Sequence, residues 1–261
     1  MERIKIGFFD SGIGGVSVMA RAREEFPSAD YIYYADTDHV PYGEKSRDEI
    51  MKYSDEAIGY LVNQGVSAAV IACNTATSIS ASLLREKYSI PIIGMEPAVK
   101  PAARNHPGEK ILVCATPVTI AGQKLRELIE KSFAEDACKP TLAALPELVN
   151  FAERAEFDPG IVCAYLAEVI PDPSAYSAVV LGCTHFPYFR DSFAAYFGSD
   201  VELIDGTEGT VNRLVSVLED IGHTVSDDRG SVRYVRSGRE ITDEYTLAYM
   251  KLLAERSLCR R

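Results

Sequence analysis

Cys73 and Cys183 occupy matched settings in the two halves of the chain. Cys73 follows the run AVIA and Cys183 the run AVVLG, both reading as buried β-strands, and polar side chains come next: Asn74 and Thr75 after the first, Thr184 and His185 after the second. A single free cysteine reads first as a space-filling core residue. A pair in repeated settings, beside donors and acceptors that an apolar core does not require, reads as chemistry. An earlier pair of strands repeats the relation, since IGFFDSG runs through Asp10 and Ser11 while ILVCAT ends on Thr116, and an internal duplication accounts for both pairs. Two halves facing each other about a pseudo-twofold axis would set one sulfur on each side of a shared cleft. One thiolate could then remove a proton from one face of a carbon while the opposite thiol delivers a proton to the other, which is the chemistry of a racemase or epimerase.

Other assignments for the same residues fit less well. Cys73, Cys183, His185 and Asp10 could together ligate a metal, but no CxxC or HxxxH spacing supports a site. A Cys183–His185 nucleophile of the hydrolase kind leaves Cys73 without a role. The stretch DSGIGG, Asp10 to Gly15, lies at a strand-to-helix junction, where glycines permit a tight turn and helix N–H groups can face an anion such as a ligand carboxylate. Its rival is a dinucleotide fingerprint with Asp36 as the later acid, yet Ser17 stands at the third glycine position and Asp10 would crowd a pyrophosphate. A plain turn with Asp10 as a helix cap remains open for Asp10 alone. Cys114, Cys138, Cys163 and Cys259 lack comparable neighbours and read as structural or incidental, and His39, His106 and His223 as loop or surface residues. Tyr42 and Gly43 could close over a ligand or form an ordinary turn anchored by an aromatic.

The elements that must carry these residues alternate short β-branched or aromatic runs with longer helical patterns, which predicts an α/β fold with parallel sheets. Strands are expected near Ile4 to Phe9, Tyr31 to Ala35, Ala68 to Ala72 and Ile92 to Gly94, with helices over Gly15 to Glu25, Arg47 to Gln64 and Ser78 to Lys87. The proline-bearing stretch Met95 to Lys110, with a short helix, marks a domain boundary before a fresh strand at Ile111 to Ala115. Helices over Thr119 to Ala134, Leu148 to Ala155 and Ile161 to Ile170 and strands at Thr141 to Ala144, Ala178 to Leu181 and Val201 to Ile204 form the second set. A helix at Thr210 to Ile221, an edge-like strand in SVRYVRS and an amphipathic helix from Ile241 to Arg256 follow.

With 27 Lys and Arg against 38 Asp and Glu in 261 residues, a formal charge of −11 and no long basic run, nucleic acid is not expected as the primary ligand. The opening MERIKIGFFDSG enters a strand without a signal-peptide pattern, and no apolar stretch approaches membrane-spanning length, so a soluble cytoplasmic protein with no membrane partner is expected. The six cysteines, without a dense spacing pattern, fit reduced thiols.

In this order, and spread over most of the chain, DSGIGG, VPYG, ACNTAT, GMEP and GCTHFP resemble the motifs of the bacterial glutamate racemases closely. The resemblance implies a cofactor-independent enzyme of the aspartate/glutamate racemase superfamily that interconverts L- and D-glutamate for peptidoglycan. It implies two pseudo-symmetric parallel-sheet α/β domains with the active site in the cleft between them: residues 1–97 with 207–261, and residues 98–206. Carried over by position, Cys73 and Cys183 are the two catalytic bases, with Asp10 the acid beside Cys73 and His185 the assisting group beside Cys183. Ser11, Tyr42, Gly43, Asn74, Thr75, Thr116 and Thr184 match substrate-binding positions. The second acidic helper falls in LPELVNFAE, where Glu153 is the match; Leu145 and Asn150 replace the family's Cys and second Pro, so Glu147 stays open. His39 stands where the family carries Arg. The resemblance implies glutamate as the small-molecule partner, no metal, and a homodimer as one assembly open to the chain. Two rivals remain: a racemase for aspartate or another acidic amino acid, and a binding or regulatory protein that keeps the cleft without catalysis.

Overall fold

The computed structural model describes residues 3–134, 138–223 and 228–258; Cys259, read above as incidental, lies outside them. The chain runs β1 (Lys5–Asp10), α1 (Val16–Glu25), β2 (Asp30–Ala35), α2 (Arg47–Asn63), β3 (Ala68–Ile71), α3 (Asn74–Lys87), β4 (Ile92–Gly94) and α4 (Val99–Asn105). It continues with β5 (Ile111–Ala115), α5 (Pro117–Ala121), α6 (Gln123–Ser132), β6 (Thr141–Ala144), α7 (Pro146–Glu153), α8 (Pro159–Val169), β7 (Ala178–Leu181), α9 (Arg190–Phe197) and β8 (Glu202–Asp205). It closes with α10 (Thr207–Asp220), β9 (Val232–Arg236), β10 (Arg239–Glu240) and α11 (Glu244–Leu258).

The strands form two sheets, ordered β10-β9-β2-β1-β3-β4 and β6-β5-β7-β8, parallel throughout except for the β9–β10 pair. The run β2-β1-β3-β4 repeats the order of β6-β5-β7-β8, so the duplication read from the cysteine settings is present in the topology. The central strands β1, β3, β5 and β7 are buried nearly throughout, which is why they read as continuous apolar runs. The three chemistry-bearing turns leave the carboxyl ends of central strands: Asp10 ends β1, and Cys73 and Cys183 lie two residues beyond β3 and β7 respectively. The largest buried cluster joins the sheets, including Phe8 and Tyr33 of the first, Leu181 of the second, and Phe186 and Tyr188 of the turn that follows β7.

Several boundaries differ from expectation. Helix α3 starts at Asn74 rather than Ser78 because Cys73 itself caps it, its sulfur accepting the Ala76 N–H at 3.4 Å. The helix expected over Thr119 to Ala134 is two, since Thr116 caps a short α5 with Pro117 in its first turn and Gly122 is extended between α5 and α6. Helix α9 was hidden by the aromatic-rich FPYFRDSFAAYF, which reads as strand-like locally and is decided by packing, with Phe193 stacked on Phe197 one turn later. Strand β9 is flanked by β2 and by the two-residue β10, so the edge is β10. Among the described residues no helix is long and apolar enough to cross a membrane.

Candidate active site

On the Cys73 side the sulfur lies 3.6 Å from Ser11 Oγ. Burial, and after it the charge of Asp10, push this thiol up to about 12, and Cys183 is close enough to add to the effect. Asp10 is wholly enclosed: Oδ1 accepts the Gly12 N–H at 2.8 Å and the Ser11 hydroxyl at 3.4 Å, while Oδ2 accepts the Thr184 hydroxyl at 2.9 Å from the other half. Burial raises the Asp10 carboxyl above the usual range, opposed in part by the His185 charge and by the Gly12 and Thr184 hydrogen bonds.

On the Cys183 side His185 Nδ1 lies 3.6 Å from the sulfur and Nε2 lies 2.6 Å from Glu153 Oε1. Burial favours neutral imidazole, but the hydrogen bonds and charges of Cys183 and Glu153 outweigh it together and raise His185 well above its ordinary value. An imidazolium that gives one N–H to Glu153 and the other to Cys183 satisfies both contacts and stabilises a thiolate. Glu153, at the last position of α7, also accepts the Ile13 N–H at 2.9 Å. Glu147, the alternative left open by the sequence, instead accepts from Asn150 Nδ2 at 3.3 Å and stands outside this network.

The glycines of the β1–α1 turn have a different reason from the one read in the sequence. Gly12, Gly14 and Gly15 are absent from the positive-φ residues. A Cβ on Gly12 would lie 1.8 Å from Glu153 Oε1, and one on Gly14 would lie 2.4 Å from Thr184 Oγ1 and 2.8 Å from His185 Nδ1. Close approach of the two halves requires them. The N–H groups of Gly12 and Ile13, expected to face a ligand anion, are held by the protein's own carboxylates.

A hydroxyl cluster joins the two halves: Thr75 Oγ1 is 2.9 Å from Thr116 Oγ1 and 3.2 Å from Thr119 Oγ1, and Thr116 donates to Thr119 at 3.0 Å. Thr119 was missed by the sequence reading. Its signal was there in T-P-V-T, which places it one turn after a capping threonine. Asn74 is 3% exposed, yet neither end of its amide has a hydrogen-bond partner, a state buried amides rarely keep without a ligand to satisfy them. Gly43 presses against the second half, where an added Cβ would meet Thr116 Cβ at 2.9 Å. The Tyr42 hydroxyl donates to the buried Asp36 at 2.7 Å, which anchors it in the wall. Asp36 also binds His39 Nδ1 at 2.9 Å, and His39 stacks on Tyr53 at 3.7 Å, giving the position where Arg was expected a fixed place at the edge of this wall. Among the described residues no group of three or more His, Cys, Asp or Glu could hold a metal ion.

Cys73 and Cys183 are 5% and 7% exposed, whereas Cys138 is exposed. Iodoacetamide should therefore alkylate Cys138 first in the native protein, with Cys73 at least about tenfold slower, because both enclosure and a raised thiol pKa oppose it. Peptide mass spectrometry over time checks this, and equal labelling rates would contradict the enclosure.

The family model for Asp/Glu/hydantoin racemases matches residues 16–214. The chain is 48% identical to the glutamate racemase of Lachnospira eligens over 97% of each chain. Its fold is similar to that of the glutamate racemase of Francisella tularensis in complex with D-glutamate, with a TM-score of 0.81 and 27% identity, covering 98% of this chain and 95% of that one. It is likewise similar to the glutamate racemase of Thermus thermophilus in complex with β-chloro-D-alanine, with a TM-score of 0.77 and 30% identity over 97% and 93% of the two chains.

Proposed function

The chain belongs to the Asp/Glu/hydantoin racemase family, and on that premise we propose that it interconverts L- and D-glutamate by passing the Cα proton between Cys73 and Cys183. The observation that carries this reading is the pair of buried thiols on equivalent turns of the two halves, Cys73 beside the Ser11 hydroxyl and the Asp10 charge and Cys183 beside His185. In one direction the thiolate of one cysteine takes the Cα proton, and the other thiol protonates the opposite face of the carbanion and becomes a thiolate. The roles exchange for the reverse reaction.

The two sides prepare their sulfurs differently. Cys73 is held as a thiol by burial, and Asp10 receives or orients its proton at the moment of reaction. Cys183 pairs with the His185 imidazolium, which Glu153 orients. Carbanion charge, delocalised toward the substrate's α-carboxylate, needs preorganised donors; the unpartnered Asn74 amide supplies one, while Ser11, Thr75, Thr116, Thr184 and the Tyr42–Gly43 wall complete the binding surface. The division into 1–97 with 207–261 and 98–206 belongs to the same reading, and the separation of β1–β4 with β9–β10 from β5–β8 into two sheets supports it. The D-glutamate formed in the cytoplasm serves peptidoglycan synthesis, an assignment that rests on the family resemblance.

The test is circular dichroism of dialysed protein with D-glutamate in deuterated buffer, followed by mass spectrometry at Cα. Decay of the optical signal to zero with one deuterium per product molecule is the expected result. An unchanged signal with glutamate but decay with aspartate would transfer the reading to that substrate, and no exchange with either would leave a binding protein.

A further inference from the structure

Helix α1 starts without a capping side chain, with Gly15 at its N-cap. Its entry turn is instead held from outside by two buried tyrosines. Tyr33 on β2 donates its hydroxyl to the Gly12 carbonyl at 2.7 Å, and Tyr188 donates to the Ile13 carbonyl at 3.0 Å, with the Gly14 carbonyl 3.4 Å away. Tyr188 stands three residues after His185 in a 3-10 turn, Phe186–Phe189, so the clamp on the Asp10 loop comes partly from the chain segment that carries the histidine. Both rings are fully buried.

The covalent geometry gives these bonds a consequence. The Gly12 carbonyl and the Ile13 N–H belong to one peptide group, which is planar and turns as a unit. Tyr33 grips the oxygen of that plane, and the N–H on its other side holds Glu153 Oε1, the atom that His185 Nε2 also touches. The next plane begins with the Ile13 carbonyl that Tyr188 holds. We propose that Tyr33 and Tyr188 are positioning residues for the reaction: by fixing these two peptide planes they set Glu153, and through it the His185 imidazole, against Cys183. The inference rests on the two-cysteine reading above and adds to it two residues whose hydroxyls bond backbone carbonyls and not the sulfurs.

A matched control exists on the same helix. Tyr31, also buried, donates its hydroxyl to the Ala22 and Phe26 carbonyls at 3.1 and 2.7 Å, holding the far end of α1 away from the site. Tyr33→Phe, Tyr188→Phe and Tyr31→Phe each delete one hydroxyl and keep the ring. Assayed well below their melting temperatures, Tyr33→Phe and Tyr188→Phe are expected to lose about tenfold in kcat with KM within about twofold, while Tyr31→Phe keeps kcat within about twofold despite a lowered Tm. In a Glu153→Ala background, Tyr33→Phe should cost no more than about twofold, because the group it positions is gone. Phe variants at 33 and 188 that track the Tyr31 control, or a Tyr33 effect that persists without Glu153, would overturn the proposal. Either Phe variant suffices should the other not fold, and wild-type protein inactive on glutamate would instead sink the two-cysteine reading itself.

Discussion

Cys73→Ser is expected to lower kcat for glutamate racemisation about 10³-fold, since a hydroxyl with a far higher pKa replaces the acid-base group on one face of the substrate. The informative result lies in what survives. Cys183 keeps its imidazolium partner and can still remove the Cα proton from its own face, but no group opposite can complete the inversion. In deuterated buffer the variant should exchange Cα–H in one enantiomer with retention of configuration and leave the other untouched. Cys183→Ser should reverse that preference. Exchange is followed by mass spectrometry and configuration by chiral chromatography. Full racemisation by either variant, or exchange of the same enantiomer by both, would eliminate the two-base mechanism.

Asp10→Asn should gain stability and lose activity together. Enclosure raises the Asp10 carboxyl above its unfolded value, so its contribution to stability is fullest below the unfolded pKa of 3.8 and is lost as pH rises through the folded pKa. Above the folded pKa the protein therefore carries a buried carboxylate that is costly to keep. Asparagine can still accept the Gly12 N–H, and the Thr184 hydroxyl can turn to accept from the new NH₂ group, so the hydrogen bonds persist without the charge. The Tm difference between variant and wild type should favour the variant at neutral pH and shrink toward pH 4, while kcat falls about 10²-fold and more for one enantiomer than for the other. A variant less stable at pH 7, or one as active as wild type, would show that the buried charge has neither effect.

Local patterns made much of this molecule legible. The alternation of buried strands and helices identified parallel α/β layers, because strands covered on both faces read as unbroken apolar runs such as AVVL. The settings of Cys73 and Cys183 were legible for the same reason, each being a strand end followed by polar residues. What sequence could not supply was distance across the chain. Nothing in DSGIGG says that Gly12 must be bare because Glu153, from a distant helix, would lie 1.8 Å from its missing Cβ. Nor does YIYYAD separate Tyr33, whose hydroxyl reaches the Asp10 loop, from Tyr31, whose hydroxyl serves the other end of α1. The choice between Glu147 and Glu153 needed the same information, since both lie on one short helix and only the partner segment distinguishes them.

The two halves repeat one strand order, yet an aspartate lies on the side of one sulfur and a histidine–glutamate pair on the side of the other. Mirror-image substrates have identical free energies in water, so a racemase works against an equilibrium constant of one, and kcat/KM must be the same in both directions however unequal its two sides are. The unevenness can appear only as paired changes in kcat and KM, with the enantiomer that turns over faster also saturating at a higher concentration. Divergence after duplication was therefore free to retune how each mirror image is handled at cellular concentrations, and could never bias the final mixture.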